Sequence, residues 1–366
     1  MAERHSFIDR THDEFARDNF ILNLKWHINL DLGPGLRDVY EKRARPAFRR
    51  ATGRDFGNRH EVRKQMLKED FFQAWGSLWR TAQHLMWESA EGQVDRQIDD
   101  LNARAKKLGA KMGSLRLNPK MKQPGYAVDV DIHCQPGGYA FDAGGDDVTA
   151  GAIYDAGTKL YGIGQGLSRG DSPAKALLNF IKKRYPNLKP KRILEEGCTI
   201  GSSTPAIAEV FPDAEIHAID IGAGLLRYAH GRLSDQGIPV HFSQQNAEET
   251  DFPDGHFDLI VSNIMLHETS HKAFPRIMKE CHRLLKPGGV MAHMDVPLRN
   301  DKLELYMQWY RDWSTHFNNE PFWGALHDME VLDPIVKAGF SKNKAFDEFF
   351  PNTTGNGVWW ACGGQK

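Results

Sequence analysis

Residues 194–204 read LEEGCTIGSST, after Arg192 and Ile193 and before PAIAEVF (205–211), which looks like the start of a helix. Glycines between a strand and a helix mark a place where a ligand approaches the backbone. The ligand is not a phosphate of the usual kind. A dinucleotide loop needs G-x-G-x-x-G, and counting from Gly197 puts Thr199 and Ser202 at the second and third glycine positions. A P-loop ends in Gly-Lys-Ser/Thr, and no such lysine is present. The loop is a poor one for NAD or ATP.

Outward from this loop, short apolar runs alternate with amphipathic ones. RILEEG (192–197), EIHAIDIG (215–222), VHFSQQN (240–246), FDLIVSN (257–263) and GGVMAHMDV (288–296) read as strands. TPAIAEVF, AGLLRYAHGRL and AFPRIMKECHRLLK read as the helices between them. That alternation predicts an α/β fold, a parallel sheet with helices on both faces. Such sheets bind ligands beyond the carboxyl ends of their strands, where the strand order reverses. SPAKALLNFIKKRY (172–185) predicts a further helix, with Ser172 as its cap and Pro173 at its first position. In LLKPGG, Lys286 is expected in the last turn of a helix, with Pro287 and two glycines ending it.

The ILEEGCTIG stretch resembles the first motif of class I S-adenosylmethionine-dependent methyltransferases: a strand, an acidic residue and a G-x-G-x-G loop. Glu195 stands at the acidic position, Gly197 and Gly201 at the outer glycines, and Thr199 replaces the middle one. Cys198 lies between them and packs or offers its backbone. The later segments arrive in the family's order. HAIDIG ends in Asp220 and Ile221, and an acid there can accept hydrogen bonds from both ribose hydroxyls. QQNAEETDFPDGHFDLIVSN is similar to the family's adenine-edge and fourth-strand segments. The resemblance implies Asn246 and Ala247 beside the adenine and Asn263 near the methionine part. It covers about residues 172–300, with a plausible strand pair in KAFDEFF and GVWWACG. The implied fold is a Rossmann-like seven-stranded sheet, the implied cofactor S-adenosylmethionine, and the implied activity methyl transfer to a small molecule, as in the similar ubiquinone-pathway enzymes.

Methyl transfer from a sulfonium is an in-line displacement, so the protein mainly aligns the acceptor and excludes water. A base matters only for a protonated acceptor such as a hydroxyl. His267, in SNIMLHETSH just past the fourth strand, is the candidate, because histidine titrates near neutral pH. Glu268 and Asp295 are the alternatives, and Asp295 is also a candidate substrate contact. On this basis oxygen is the first choice of acceptor atom, whether hydroxyl or carboxylate, with carbon second and nitrogen third. An RNA-directed methyltransferase and a protein that binds the cofactor without transferring methyl are the rival readings.

The first half reads differently. Phe71, Phe72, Trp75, Leu78, Trp79, Leu85 and Met86 recur at helical spacing and predict packed helices. Residues 113–145, with their prolines, glycines and alternating YAVDVDIH, predict an extended or hairpin segment. Together these predict a mainly helical N-terminal domain over 1–170, a substrate cap or homodimer face, ahead of a cofactor-binding domain over 171–366. The boundary is expected near GLSRGDSP. Tyr154 and Tyr161, just before the sheet, are expected to fold over the cofactor, and His133 and Tyr139 to touch substrate. Asp131, His133 and Cys134 have ligand chemistry, but strand alternation would part them, so no metal is expected.

Forty-seven Lys and Arg against 48 Asp and Glu leave a formal charge of -1, which gives no general pull toward nucleic acid or an anionic membrane. The basic run 42–64 is an exception, and is expected to be a solvated face rather than an RNA contact. Four cysteines without CxxC spacing, a charged start and no long apolar run predict a cytoplasmic chain with reduced thiols and no membrane span.

Overall fold

The computed structural model describes residues 6–161, 172–297, 299 and 302–366. The expected boundary near GLSRGDSP falls largely on 162–171, outside the described residues. Eight strands form one sheet: β1 (Ser114–Arg116), β2 (Arg192–Glu196), β3 (Glu215–Asp220), β4 (His241–Gln244), β5 (Phe257–Asn263), β6 (Leu285–Asp295), β7 (Phe346–Pro351) and β8 (Val358–Gln365). Their order is β1-β4-β3-β2-β5-β6-β8-β7, parallel except that β8 runs against both β6 and β7. The chain steps outward from β2 through β3 to β4, then returns to lay β5 on the other side of β2. The carboxyl ends of β2 and β5 therefore flank the switch in strand order, where such sheets leave a crevice.

The sheet is buried on both faces, so its strands are apolar runs rather than alternating ones. Ile193, Leu259, Val261 and Val290 face one helical layer, and Leu194, Ile260 and Met291 the other. Ser172 caps the Pro173–Arg184 helix, accepting from Lys175 N at 3.4 Å, with Pro173 at its first position as expected. The Phe274–Leu284 helix stops two residues earlier than LLKPGG suggested: Lys286 lies in β6, and His282 and Arg283 occupy the last turn.

Two expectations change. The sheet has eight strands, because Ser114–Arg116 adds a parallel edge beside β4, with Leu115 opposite Phe242. The rest of 113–145 is not a hairpin. YAVDVDIH breaks into a turn of helix (Gly125–Val128) and a 3-10 turn (Ile132–Cys134), since it has no neighbouring strand to accept its alternation.

The helical part of the first half is built on Asp70–Asp95, which buries Phe72, Trp75, Met86, Trp87 and Val94, while Phe71 and Leu78 point outward. Its partners are partly unexpected. Helices inserted between β6 and β7 bring Trp309 to 5.2 Å from Phe72 and Trp313 to 5.9 Å from Trp75, centroid to centroid. Ile98–Gly109 lies against Ala223–Asp235, a helix of the sheet domain. The approach requires Gly231, because a Cβ there would sit 2.7 Å from the Ala105 backbone. The basic run 42–64 is largely neutralised within the fold: Arg43 pairs with Glu69, Arg45 and Arg49 with Asp55, Arg54 with Glu61, and Arg59 with Asp312. Among the described residues no helix is long and apolar enough to cross a membrane.

Candidate active site

A cavity of about 450 Å³ lies over the carboxyl ends of β2, β3 and β5. One half is built from backbone turns. At the end of β2, Gly197 takes φ +64 and turns the chain out of the strand; a Cβ there would meet the Met265 side chain at 2.6 Å. Thr199 follows at φ +48, a left-handed conformation that a β-branched residue rarely adopts. Its N–H donates to Asp220 Oδ2 at 2.9 Å, and Gly222 N–H donates to Asp220 Oδ1 at 3.0 Å. Burial raises the pKa of Asp220, and these backbone bonds work against the rise. Glu195, also buried, accepts from Thr204 Oγ1 at 2.5 Å, and burial pushes its carboxyl up to about 7.

Of the residues expected to hold the cofactor, Glu195, Gly197, Cys198, Asp220, Ile221, Asn246, Ala247, Asn263, Tyr154 and Tyr161 all line this cavity. Asn263 Oδ1 is buried with no hydrogen-bond partner among the described residues. Gly201 does not reach the cavity; it turns against Leu233 and Thr204, so its glycine serves packing.

The other half is built from side chains of four distant segments. His267, 2% exposed, places Nδ1 2.6 Å from Asp295 Oδ1, and its N–H donates to Asp295 Oδ2 at 3.2 Å. His267 Nε2 lies 3.2 Å from Glu268 Oε1. His133 Nε2 approaches the same oxygen at 2.6 Å, and His133 Nδ1 is 3.0 Å from Glu320 Oε1. Tyr139 donates to Glu268 Oε1 at 3.1 Å. The Tyr161 hydroxyl is 2.7 Å from His133 Nδ1, which sets it in this cluster rather than over the glycine loop. Burial disfavours charge on His133, but Glu268 and Glu320 outweigh it and push the pKa up to about 10. For His267 burial acts the same way and is overcome by Asp295 and Glu268, which hold the ring well above its ordinary value.

Asp295 was a candidate substrate contact; it is fully buried behind His267 and does not line the cavity. Asp131 and Cys134 are not part of the cluster, although His133 is. The sequence reading missed Glu320 and Trp323, which come from the insertion between β6 and β7; the Trp323 ring meets His267 edge-on at 4.9 Å. The only signal there was aromatic density (WYRDWSTHF), which says core and not site. All five non-glycine residues with positive φ among the described residues sit at or next to this cavity: His133, Cys134, Thr199, Ile264 and Asn319.

A parallel sheet with its cavity at the switch point, a glycine turn and an acid at the next strand's end define a nucleoside-binding α/β domain. Residues 193–289 match a family model described as "Methyltransferase domain". The chain carries a class I S-adenosylmethionine-dependent methyltransferase domain, and S-adenosylmethionine is the cofactor of such domains. It is similar to the reducing polyketide synthase grgA of a Penicillium species, 25% identical over 190 residues, 50% of this chain and 8% of that protein. It is also similar to the ubiquinone/menaquinone biosynthesis C-methyltransferase UbiE of Vibrio parahaemolyticus, 34% identical over 102 residues, 27% of this chain and 39% of that one. A solved O-methyltransferase family protein from Burkholderia thailandensis superposes with a TM-score of 0.44 at 14% identity, over 59% of this chain and 60% of that chain. The chain spans well under half the length of these curated relatives.

Proposed function

We propose that the protein transfers the methyl group of S-adenosylmethionine to a small-molecule acceptor, first an oxygen of a hydroxyl or carboxylate. The observation that carries this reading is the juxtaposition in one cavity of the Gly197 turn and Asp220 with the His133–His267–Glu268–Glu320 cluster. The cofactor's ribose hydroxyls go to Asp220, its adenine to Asn246 and Ala247, and its methionine part to Asn263, whose buried Oδ1 suits an ammonium donor. The methyl carbon then faces the cluster. It passes to a lone pair of the acceptor while the broken C–S pair stays on sulfur, leaving S-adenosylhomocysteine. A carboxylate acceptor needs no base and is drawn by the imidazoliums. A hydroxyl acceptor gives its proton to His267 Nε2 in its neutral form, and Asp295 orients the ring and stabilises the imidazolium that results.

The first half serves as the cap over this chemistry. Support comes from Trp87, Tyr126, His133, Tyr139 and Tyr154, all cavity-lining residues from before residue 161. Exposed Phe15, Phe20 and Leu30 favour a pairing surface on the same half. Arginines tied up by carboxylates support a structural rather than nucleic-acid use of the run 42–64.

A carbon acceptor is the second reading, favoured by the similarity to a C-methyltransferase, UbiE. Both are tested by incubating the protein with methyl-13C-labelled S-adenosylmethionine and a panel of hydroxy acids, phenols and enolisable carbonyl compounds. The expected product has its labelled methyl on oxygen by two-dimensional NMR. A methyl on carbon would replace the first reading by the second, and no S-adenosylhomocysteine from any acceptor class would overturn both.

A further inference from the structure

We propose that His133 Nε2, His267 Nε2 and a Glu268 carboxylate oxygen bind a first-row divalent metal ion at the acceptor end of the cavity. One ligand atom from each of the three residues lies within 4.8 Å of the others. Both Nε2 atoms face the same oxygen, Glu268 Oε1, from two directions. Two imidazoles and one carboxylate make a set that zinc, iron or manganese accepts with positions left open.

Three independent features fit an ion rather than a network of hydrogen bonds alone. The first is the far side of each ring. His267 Nδ1 has Asp295 at 2.6 Å, and His133 Nδ1 has Glu320 at 3.0 Å. Each pairing fixes its ring with Nε2 turned toward Glu268, and a carboxylate on Nδ1 is the outer-shell arrangement of a metal-bound histidine once an ion has displaced the Nε2 proton. The second is unmet acceptor capacity. Among the described residues, Glu268 Oε2 and Glu320 Oε2 are buried without a hydrogen-bond partner, and Glu320 is 1% exposed. A buried carboxylate oxygen that accepts no hydrogen bond is costly. The third is strain. His133 and Cys134 hold φ of 58 and 59 in succession, and this unfavourable backbone delivers His133 into the cluster.

The other group with metal-binding chemistry, Glu196, Cys281 and His293, carries no such inference. All three are fully buried between β2, β6 and the Phe274–Leu284 helix and do not line the cavity above, so an ion there has no open position facing it.

The open positions on the cavity side take oxygen atoms. An acceptor with two adjacent oxygens, such as a hydroxy acid or a 1,3-dicarbonyl compound, chelates there while its nucleophilic atom meets the methyl donor. This substrate class rests on the methyltransferase reading above; the metal site does not. With the ion bound, His267 Nε2 is a ligand and no longer a base. The acceptor's proton passes instead to Glu320 Oε2, 3.9 Å from His267 Nε2, as the pair it leaves attacks the methyl and the C–S pair stays on sulfur.

The test is titration of the full chain, stripped with chelator and desalted, with cobalt(II) alone. Visible spectroscopy and elemental analysis read the result. One ion per chain is expected, with ligand-field bands that His133→Ala and Glu268→Gln abolish. Glu320→Gln keeps the ligands and should weaken binding roughly 10- to 100-fold, as loss of an outer-shell partner does. Calorimetry with S-adenosylhomocysteine on the same samples separates the two readings. No bands with intact S-adenosylhomocysteine binding overturns the metal site and leaves the methyltransferase reading in place. Bands without S-adenosylhomocysteine binding overturn that reading and keep the metal. Melting curves verify that each variant is folded, and bands that survive in folded His133→Ala and Glu268→Gln place the ion elsewhere and end the proposal.

Discussion

The two halves of the cavity are made in opposite ways. The glycine-loop half is a product of local chain geometry: Gly197, Thr199 and Asp220 act through turns and backbone N–H groups within one β-α-β unit. The cluster half is a product of long-range packing. His133, Tyr161, His267 and Glu320 come from four segments and meet only when the cap and the inserted helices close on the sheet. A site of the first kind is fixed by the sheet and tolerates changes at the cap. A site of the second kind depends on every element that brings a side chain to it.

The sharpest way to break that contrast is a pair of variants. His267→Ala should lower turnover by about 10²–10⁴, the usual range for removing a group that moves a proton or polarises an acceptor. It should leave S-adenosylhomocysteine binding near that of the wild type. Asp220→Ala should do the reverse, weakening cofactor binding by about 10- to 100-fold, or roughly 1.5–3 kcal/mol for lost bonds to a charged acceptor. Calorimetry and product release measure the two separately. If either variant moves both quantities equally, the halves are one unit.

The same contrast explains what could be read from the chain. β2 through β6 were legible because each is an apolar run bounded by polar or glycine residues, and a parallel sheet buries such runs whole. The Gly197 turn and Asp220 were legible because they sit next to each other in that frame. Ser114–Arg116 was not: three residues carry no period, and only the free edge of β4 makes them a strand. YAVDVDIH alternates like a strand and is not one, since alternation becomes structure only beside a partner. His133 was singled out with Tyr139, which shares Glu268 Oε1 with it, and as a possible ligand beside Asp131 and Cys134, whereas its charged partners in space are Glu268 and Glu320. Glu320 left no trace in the sequence, because nothing local distinguishes a carboxylate that will be buried from one that will be solvated.

The pleat of β2 sharpens the comparison further. Glu195 points to the cavity, while its neighbour Glu196 points into the core, beside Cys281 Sγ at 3.5 Å. Burial pushes the Glu196 carboxyl up to about 8 from 4.5, so the folded chain keeps a proton that the unfolded chain has lost. For a group shifted this way, stability is full below about pH 4.5 and falls as pH rises to about 8, by about 1.4 kcal/mol per unit, then levels. Glu196→Gln stays uncharged throughout. The difference between its stability and that of the wild type, from denaturant melts between pH 5 and about 9, should grow with pH. A flat difference would mean that Glu196 ionises in the fold.

Thr199 offers the smallest and most local test. Its φ of +48 is what a glycine at the middle of the loop would adopt freely, and for a β-branched residue the conformation costs on the order of 1–3 kcal/mol. Thr199→Gly removes that strain but adds backbone freedom to the unfolded chain, worth about 0.5–1 kcal/mol in the other direction. The net expectation is a gain of about 1 kcal/mol in denaturant melts, with the Thr199 N–H bond to Asp220 kept, because a glycine retains that donor. If the loop half is truly made of backbone, S-adenosylhomocysteine should bind Thr199→Gly at least as well as the wild type. Weaker binding together with higher stability would show that the threonine side chain itself meets the ligand, and that the strain is kept for function.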